Sequence, residues 1–171
     1  MTMFRILNKI RKIGILTEPL PQQQPSLEPI GAQVKQEITR CFAKSLAVRQ
    51  VDAGSCNGCE LEIHALNNPY YDIERFGIHF VASPRHADML LVTGPVSRHM
   101  QAALQRTYEA TPHPKLVVAM GDCAVNGGEF GQSYASCGAV SQVIPVDATI
   151  KGCPPTPLEL MNGILSLLRQ R

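Results

Sequence analysis

The chain of 171 residues is of single-domain size, with 44% hydrophobic residues, 18% charged residues, a formal charge of +2 and six cysteines. That composition suits a globular domain able to bury a core, and it is too nearly neutral for a nucleic-acid binder. No run is apolar enough to span a bilayer, and the Met3–Ile10 stretch is broken by charges and lacks a small-residue cleavage site; the expectation is a cytoplasmic protein with reduced thiols.

Charge is unevenly spread along the chain. Residues 1–50 hold eight Lys/Arg against three acids, and residues 51–171 hold eight against eleven. A basic extension over residues 1–45 is therefore expected to precede a mildly acidic domain over residues 46–171. Within the extension, Met3, Ile6, Leu7, Ile10 and Ile13 recur at helical spacing with Arg5, Lys9 and Lys12 between them. Residues 3–16 thus read as a basic amphipathic helix. Its apolar face fits a membrane surface or membrane-embedded partner, or equally its own domain, and the pattern leaves these open. Pro19–Pro25 reads as an extended linker and residues 31–45 as a lead-in helix.

From residue 46 strands and helices alternate. The predicted strands are Leu46–Val51, Ile78–Val81, Met89–Val92, Leu116–Met120 and Gln142–Val146. Helical patterning marks Cys59–Leu66, Ser97–Ala110 and Thr156–Leu168. Continuous apolar strands alternating with helices predict an α/β fold, a flavodoxin-like parallel sheet with helices on both faces and an N-terminal helical extension.

That placement collects four cysteines. Cys56 and Cys59 follow the first strand, Cys123 follows the 116–120 strand, and Cys153 follows the last strand after a short loop. Loops leaving the carboxyl ends of parallel strands share one edge, where open α/β sheets bind their ligands. Thr93-Gly94-Pro95 emerges there too and is expected to form a wall. A glycine stands one or two residues before each of the four cysteines, giving the backbone room to approach a bulky group.

Cys₄ is the ligand set of a cubane iron–sulfur cluster, and Cys153-Pro154 matches the Cys-Pro that closes ferredoxin motifs. A thioredoxin-like dithiol needs only Cys56 and Cys59 and leaves the other two unexplained. Structural zinc uses four ligands, but usually from two paired knuckles. The residues favour iron–sulfur over zinc and zinc over dithiol exchange, with all three still open. Cys41 reads as a small buried hydrophobe. Cys137, fourteen residues after Cys123, is a substitute ligand candidate. Glu60, Glu62 and His64 flank the first motif, and first-turn acids are expected to be solvated. Arg85 and His86 precede a strand, at the edge away from the cysteines, and read as structural or interfacial.

Four ordered motifs then carry a resemblance: residues 54–62 (GSCNGCELE), 83–96 (SPRHADMLLVTGPV), 121–128 (GDCAVNGG) and 151–157 (KGCPPTP). Over residues 46–168 the chain resembles the small subunits of membrane-bound, energy-converting [NiFe] hydrogenases of the formate hydrogenlyase and Ech types. The B subunit of respiratory complex I is their homologous relative. The resemblance implies one proximal [4Fe–4S] cluster on Cys56, Cys59, Cys123 and Cys153. That cluster would relay single electrons between a [NiFe] large subunit and a ferredoxin-like iron–sulfur subunit, in an oxidoreductase complex with integral membrane subunits. It places the chain peripherally on the cytoplasmic face of the inner membrane. Ser55 stands where the complex I subunit has an adjacent cysteine, and no twin-arginine leader or further cluster cysteines are seen, which favours the short hydrogenase branch. The alternatives are a complex I-like quinone-reducing or nickel-free relative and, in another class, a zinc-stabilised binding module.

Overall fold

The structure, a computed structural model, describes residues 2–14 and 26–171. The expected linker at 19–25 lies outside the described residues. In chain order the elements are α1 (Thr2–Ile13), α2 (Leu27–Phe42), β1 (Leu46–Asp52), α3 (Gly58–Leu66), β2 (Ile78–Phe80), β3 (Met89–Thr93), α4 (Arg98–Ala110), β4 (Leu116–Met120), α5 (Asp122–Asn126), β5 (Ala148–Ile150) and α6 (Pro157–Arg169). The five strands form one wholly parallel sheet in the order β2-β1-β3-β4-β5. This is the flavodoxin-like order, with its switch point between β1 and β3.

β3 and β4 are buried at every position because both sheet faces are covered. On one face Ile30, Val34 and Ile38 of α2, Ile63 and Leu66 of α3, and Leu160, Ile164 and Leu168 of α6 cover Val48, Leu91 and Val118. On the other, Leu104 of α4 and Ala124 of α5 cover Leu90, Val92 and Val117, joined by Val140 and Ile144. Each fully buried Leu or Ile contributes roughly 1.5–3 kcal/mol. α6 starts cleanly because Thr156 and Glu159 form a reciprocal capping box, with Pro157 at its first position.

Two aspartates set strand register by the same device. Asp88, just before β3, donates its N–H to Ala47 O at 2.8 Å and accepts from Ala47 N–H through Oδ2 at 3.1 Å. Asp147, just before β5, donates to Val117 O at 2.8 Å and accepts from Val117 N–H through Oδ2 at 2.7 Å. Each thereby locks the amino end of one strand to its neighbour.

One predicted strand is corrected. Residues 142–146 are not extended pairing strand: Val140–Gln142 is a 3₁₀ turn, and the fifth strand is Ala148–Ile150. Pro145 lacks the N–H a ladder requires, and Val140 and Ile144 bury themselves as loop side chains against the sheet instead. The lead-in helix also begins and ends earlier than expected. It runs from Leu27 to Phe42 and is stopped by Ala43, whose φ of 53° is left-handed. α5 was not expected at all.

Candidate functional site

Local hydrogen bonds bring the sheet's carboxyl-edge loops into register with one another. At the end of β1 the Asp52 carboxylate accepts from the N–H groups of Gly54 and Ser55, each at 2.8 Å. This turn delivers Cys56 to the edge and Cys59 to the first turn of α3. After β4, Gly121 leads straight into α5, which carries Cys123. Asp122 clamps this loop to the one after β5: its N–H donates to Gly152 O at 2.9 Å, and its carboxylate accepts from Gly152 N–H at 3.0 Å. Cys123 and Cys153 are thus held side by side.

Cys56, Cys59, Cys123 and Cys153 line a single cavity of about 100 Å³, together with Ser55, Gly58, Gly94 and Pro154. Cys59 and Cys123 are half-buried, whereas Cys56 and Cys153 are exposed. A wider depression of about 460 Å³ adjoins Cys123 and Cys153 and runs out past Asn126, Gly128 and Glu129. Gly94 is the part of the Thr93-Gly94-Pro95 segment that walls the cavity.

Glycines keep the sulfurs in place. A Cβ on Gly121, whose φ is +87°, would lie 2.6 Å from Cys59 Sγ, and one on Gly128 the same distance from Cys123 Sγ. Neither position tolerates a side chain without displacing a thiol.

Burial pushes the Cys59 thiol up to about 12, with repulsion from Glu60, Cys56, Cys123 and Cys153 adding to it. Cys123 is raised by burial first, then by Cys153, Cys56 and Asp122. A reactive dithiol sulfur needs the reverse, a thiol lowered toward neutrality, so neither Cys59 nor Cys123 suits that role. Crowded thiolates of this kind are relieved by a cationic centre, which displaces their protons.

Among the described residues, no three His, Cys, Asp or Glu side chains converge on a single metal ion. A lone zinc, with Zn–S bonds of about 2.3 Å, would draw its sulfurs to about 3.8 Å from one another. The cavity far exceeds the ~10–15 Å³ that one water occupies. Its donor set and volume fit a bulky thiolate-ligated core better than an ion.

Glu60 departs from its expectation of a solvated first-turn acid. It is buried, accepting from Ser55 Oγ at 2.6 Å and from Thr93 Oγ1. It therefore ties the Cys56 loop, α3 and the end of β3 together directly behind the cavity. Glu62 is half-buried and His64 exposed. Arg85 and His86 sit exposed in a 3₁₀ turn before β3, at the opposite edge. Cys137 is buried on the α4 side with its thiol 3.4 Å from Gln101 Oε1, apart from the four-cysteine cavity. Cys41 is half-buried, its thiol 3.6 Å from Leu168 O. The sequence reading missed Asp52, Asp122 and Gly128 as positioning residues, although the last two lie inside the Gly-Asp-Cys-Ala-Val-Asn-Gly-Gly motif.

A doubly covered, wholly parallel sheet that gathers four thiols at its carboxyl edge is the architecture of an α/β domain whose site lies outside the strand ends. Residues 56–167 match the sequence family described as NADH ubiquinone oxidoreductase, 20 Kd subunit, and the chain belongs to that family. It is a subunit of the oxidoreductase-type membrane complexes, hydrogenase or complex I-like. It is 43% identical over 143 residues to formate hydrogenlyase subunit 7 of Escherichia coli (strain K12), covering 82% of this chain and 56% of that protein. The chain thus spans little more than half that relative's length. It is 42% identical over 134 residues to the probable membrane-bound hydrogenase subunit mbhJ of Pyrococcus furiosus, covering 78% of this chain and 80% of that one. Among solved structures it resembles a chain of the membrane-bound sulfane sulfur reductase, an archaeal respiratory membrane complex. There the TM-score is 0.66 at 37% identity, covering 80% of this chain and 75% of the other.

Proposed function

We propose that the chain is the one-cluster electron relay of a membrane-attached, [NiFe]-hydrogenase-like complex, with Cys56, Cys59, Cys123 and Cys153 holding a [4Fe–4S] cluster. The observation that carries this reading is the meeting of four thiols, from loops after β1, β4 and β5, in one glycine-walled cavity. When bound, such a cluster supplies reversible one-electron chemistry. The chain's own residues do the rest. Asp52 and Asp122 aim the loops, Glu60 braces the Cys56 turn, and Gly121 and Gly128 leave the sulfurs clear. Exposed Cys56 and Cys153 leave the site open to a partner surface, so electrons pass to neighbouring subunits rather than to a substrate bound inside this chain.

The partners in this reading are a large subunit bearing a [NiFe]-type site, a ferredoxin-like subunit and integral membrane subunits. The chain sits peripherally at the cytoplasmic face; among the described residues no helix is long and apolar enough to cross a membrane. Residues 46–171 form the cluster-holding domain. Residues 1–45 form the extension, whose second helix lends Ile30, Val34 and Ile38 to the domain core. The family match also supports a complex I-like relative, and the large subunit decides between them. Two Cys-x-x-Cys pairs in that partner supply the four thiolates of a [NiFe] site, and their absence rules out hydrogen turnover.

Anaerobic purification tests the cluster itself. Iron and acid-labile sulfide in equal amounts, with an EPR signal after reduction, are expected. Each of Cys56→Ala, Cys59→Ala, Cys123→Ala and Cys153→Ala should lose that signal, while Cys41→Ala and Cys137→Ala keep it. A colourless protein with stoichiometric zinc and no iron would refute the reading.

A further inference from the structure

Among the described residues, the apolar side of α1 has no partner in the domain. Met3, Phe4, Ile6, Leu7 and Ile10 range from 55% to 86% exposed, and Ile13 is 44% exposed. At about 100° per residue, Ile13, Ile6, Ile10, Met3 and Leu7 share an arc of roughly 120°. Lys12 lies opposite that arc. Lys9 stands at one border beside Ile13, and Arg11 at the other between Leu7 and Phe4. The helix sequence TMFRILNKIRKI holds four basic residues and no acid.

Twelve residues are too few for a helix to persist alone in water, so its apolar arc has to be covered. The charge pattern says by what. A helix docked against a protein groove generally carries charges of both signs along its borders, as coiled-coil edges do. Here every charge is positive, and both borders of the apolar arc carry a long cationic side chain placed to reach upward from a buried face. Broad apolar arc, cationic borders and low overall hydrophobicity are the features of a helix lying in the plane of a bilayer interface. A positively charged face is drawn there by anionic headgroups.

We propose that α1 lies in the headgroup layer of an anionic bilayer and gives this chain its own lipid contact, separate from any membrane subunit. This goes beyond the electron-relay reading and does not depend on it, because lipid binding is read without reference to cluster content.

The test is co-sedimentation of the full-length chain with vesicles of phosphatidylcholine alone and of phosphatidylcholine mixed with phosphatidylglycerol. Wild type should partition at least tenfold more strongly onto the anionic vesicles, and salt should weaken it. Lys9→Gln with Lys12→Gln should lower partitioning about tenfold or more at low salt. Ile6→Asp with Ile10→Asp should abolish it. All variants should retain the wild-type far-ultraviolet spectrum of the domain, whose core α1 does not enter. Failure of wild type to bind, equal binding to both vesicle types, or an unaffected Ile6→Asp/Ile10→Asp variant would overturn the proposal. So would concentration-dependent self-association, lost in the Ile6→Asp/Ile10→Asp variant and seen without vesicle binding, which would assign the arc to a second copy of the chain.

Discussion

Gly121→Ala separates the two reasons for having a glycine at the end of β4. The first is conformational: at φ +87° an alanine costs about 1–2 kcal/mol. The second is steric, since the new Cβ would sit 2.6 Å from Cys59 Sγ. Overpacking of that kind costs roughly 1–3 kcal/mol when neighbours have to move. The sum is about 2–5 kcal/mol, out of a typical stability of about 5–15 kcal/mol. Gly131 provides the control, because its φ of +52° carries the conformational cost but a Cβ there meets nothing within 4 Å. Gly131→Ala should therefore lower the urea midpoint modestly and leave iron content intact. Gly121→Ala should lower the midpoint further and, on the proposed assignment of Cys59 as a cluster ligand, cut iron content, because the atom displaced is its sulfur. Equal midpoints and full iron in both variants would refute the steric argument.

Glu60→Ala removes an acceptor of the Ser55 and Thr93 hydroxyls and leaves the fully buried Thr93 only the long bond to Val51 O at 3.4 Å. A loss of about 2–4 kcal/mol is expected by urea denaturation, with Ser55→Ala losing less. The Glu159 carboxyl is held below its ordinary value by hydrogen bonds from the Thr156 backbone and side chain. A group depressed in the folded state adds stability that is present above its unfolded value and lost as pH falls through the folded one. The stability gap between wild type and Glu159→Ala should therefore be full at neutral pH and narrow on acidification below the carboxylate range. A gap independent of pH would show that the capping carboxylate does not contribute as charged.

How much was legible in advance follows from how local each signal was. β3 and β4 are apolar at nearly every position, so their burial could be read residue by residue. The cysteines were legible because each follows a strand closely, and parallel topology then placed those loops at one edge. β5 was not. Its three residues Ala148, Thr149 and Ile150 carry little pattern, and what positions them is Asp147 binding Val117, thirty residues away. The more apolar Val143–Val146 run drew the strand prediction, although Pro145 argued against it. Glu60 was misread for a similar reason. First-turn acids usually face solvent, and nothing near it in sequence announces Thr93, which belongs to another strand. The register-setting aspartates illustrate the same limit: Asp88 looks like a loop residue until Ala47 is beside it.

The clamp between Asp122 and Gly152 also carries a consequence for assembly in time. Cys56 and Cys153 are separated by most of the domain, and the loop bearing Cys153 is held in place by the pairing of β5 with β4 and by the Asp122–Gly152 clamp. Contacts so distant in the chain form late and slowly. The pocket is therefore complete only with the whole sheet: the loops after β1 and β4 present three thiols, and the loop after β5 adds the fourth. Loading with a metal centre would then act as a seal on the native topology, rewarding the last strand to arrive.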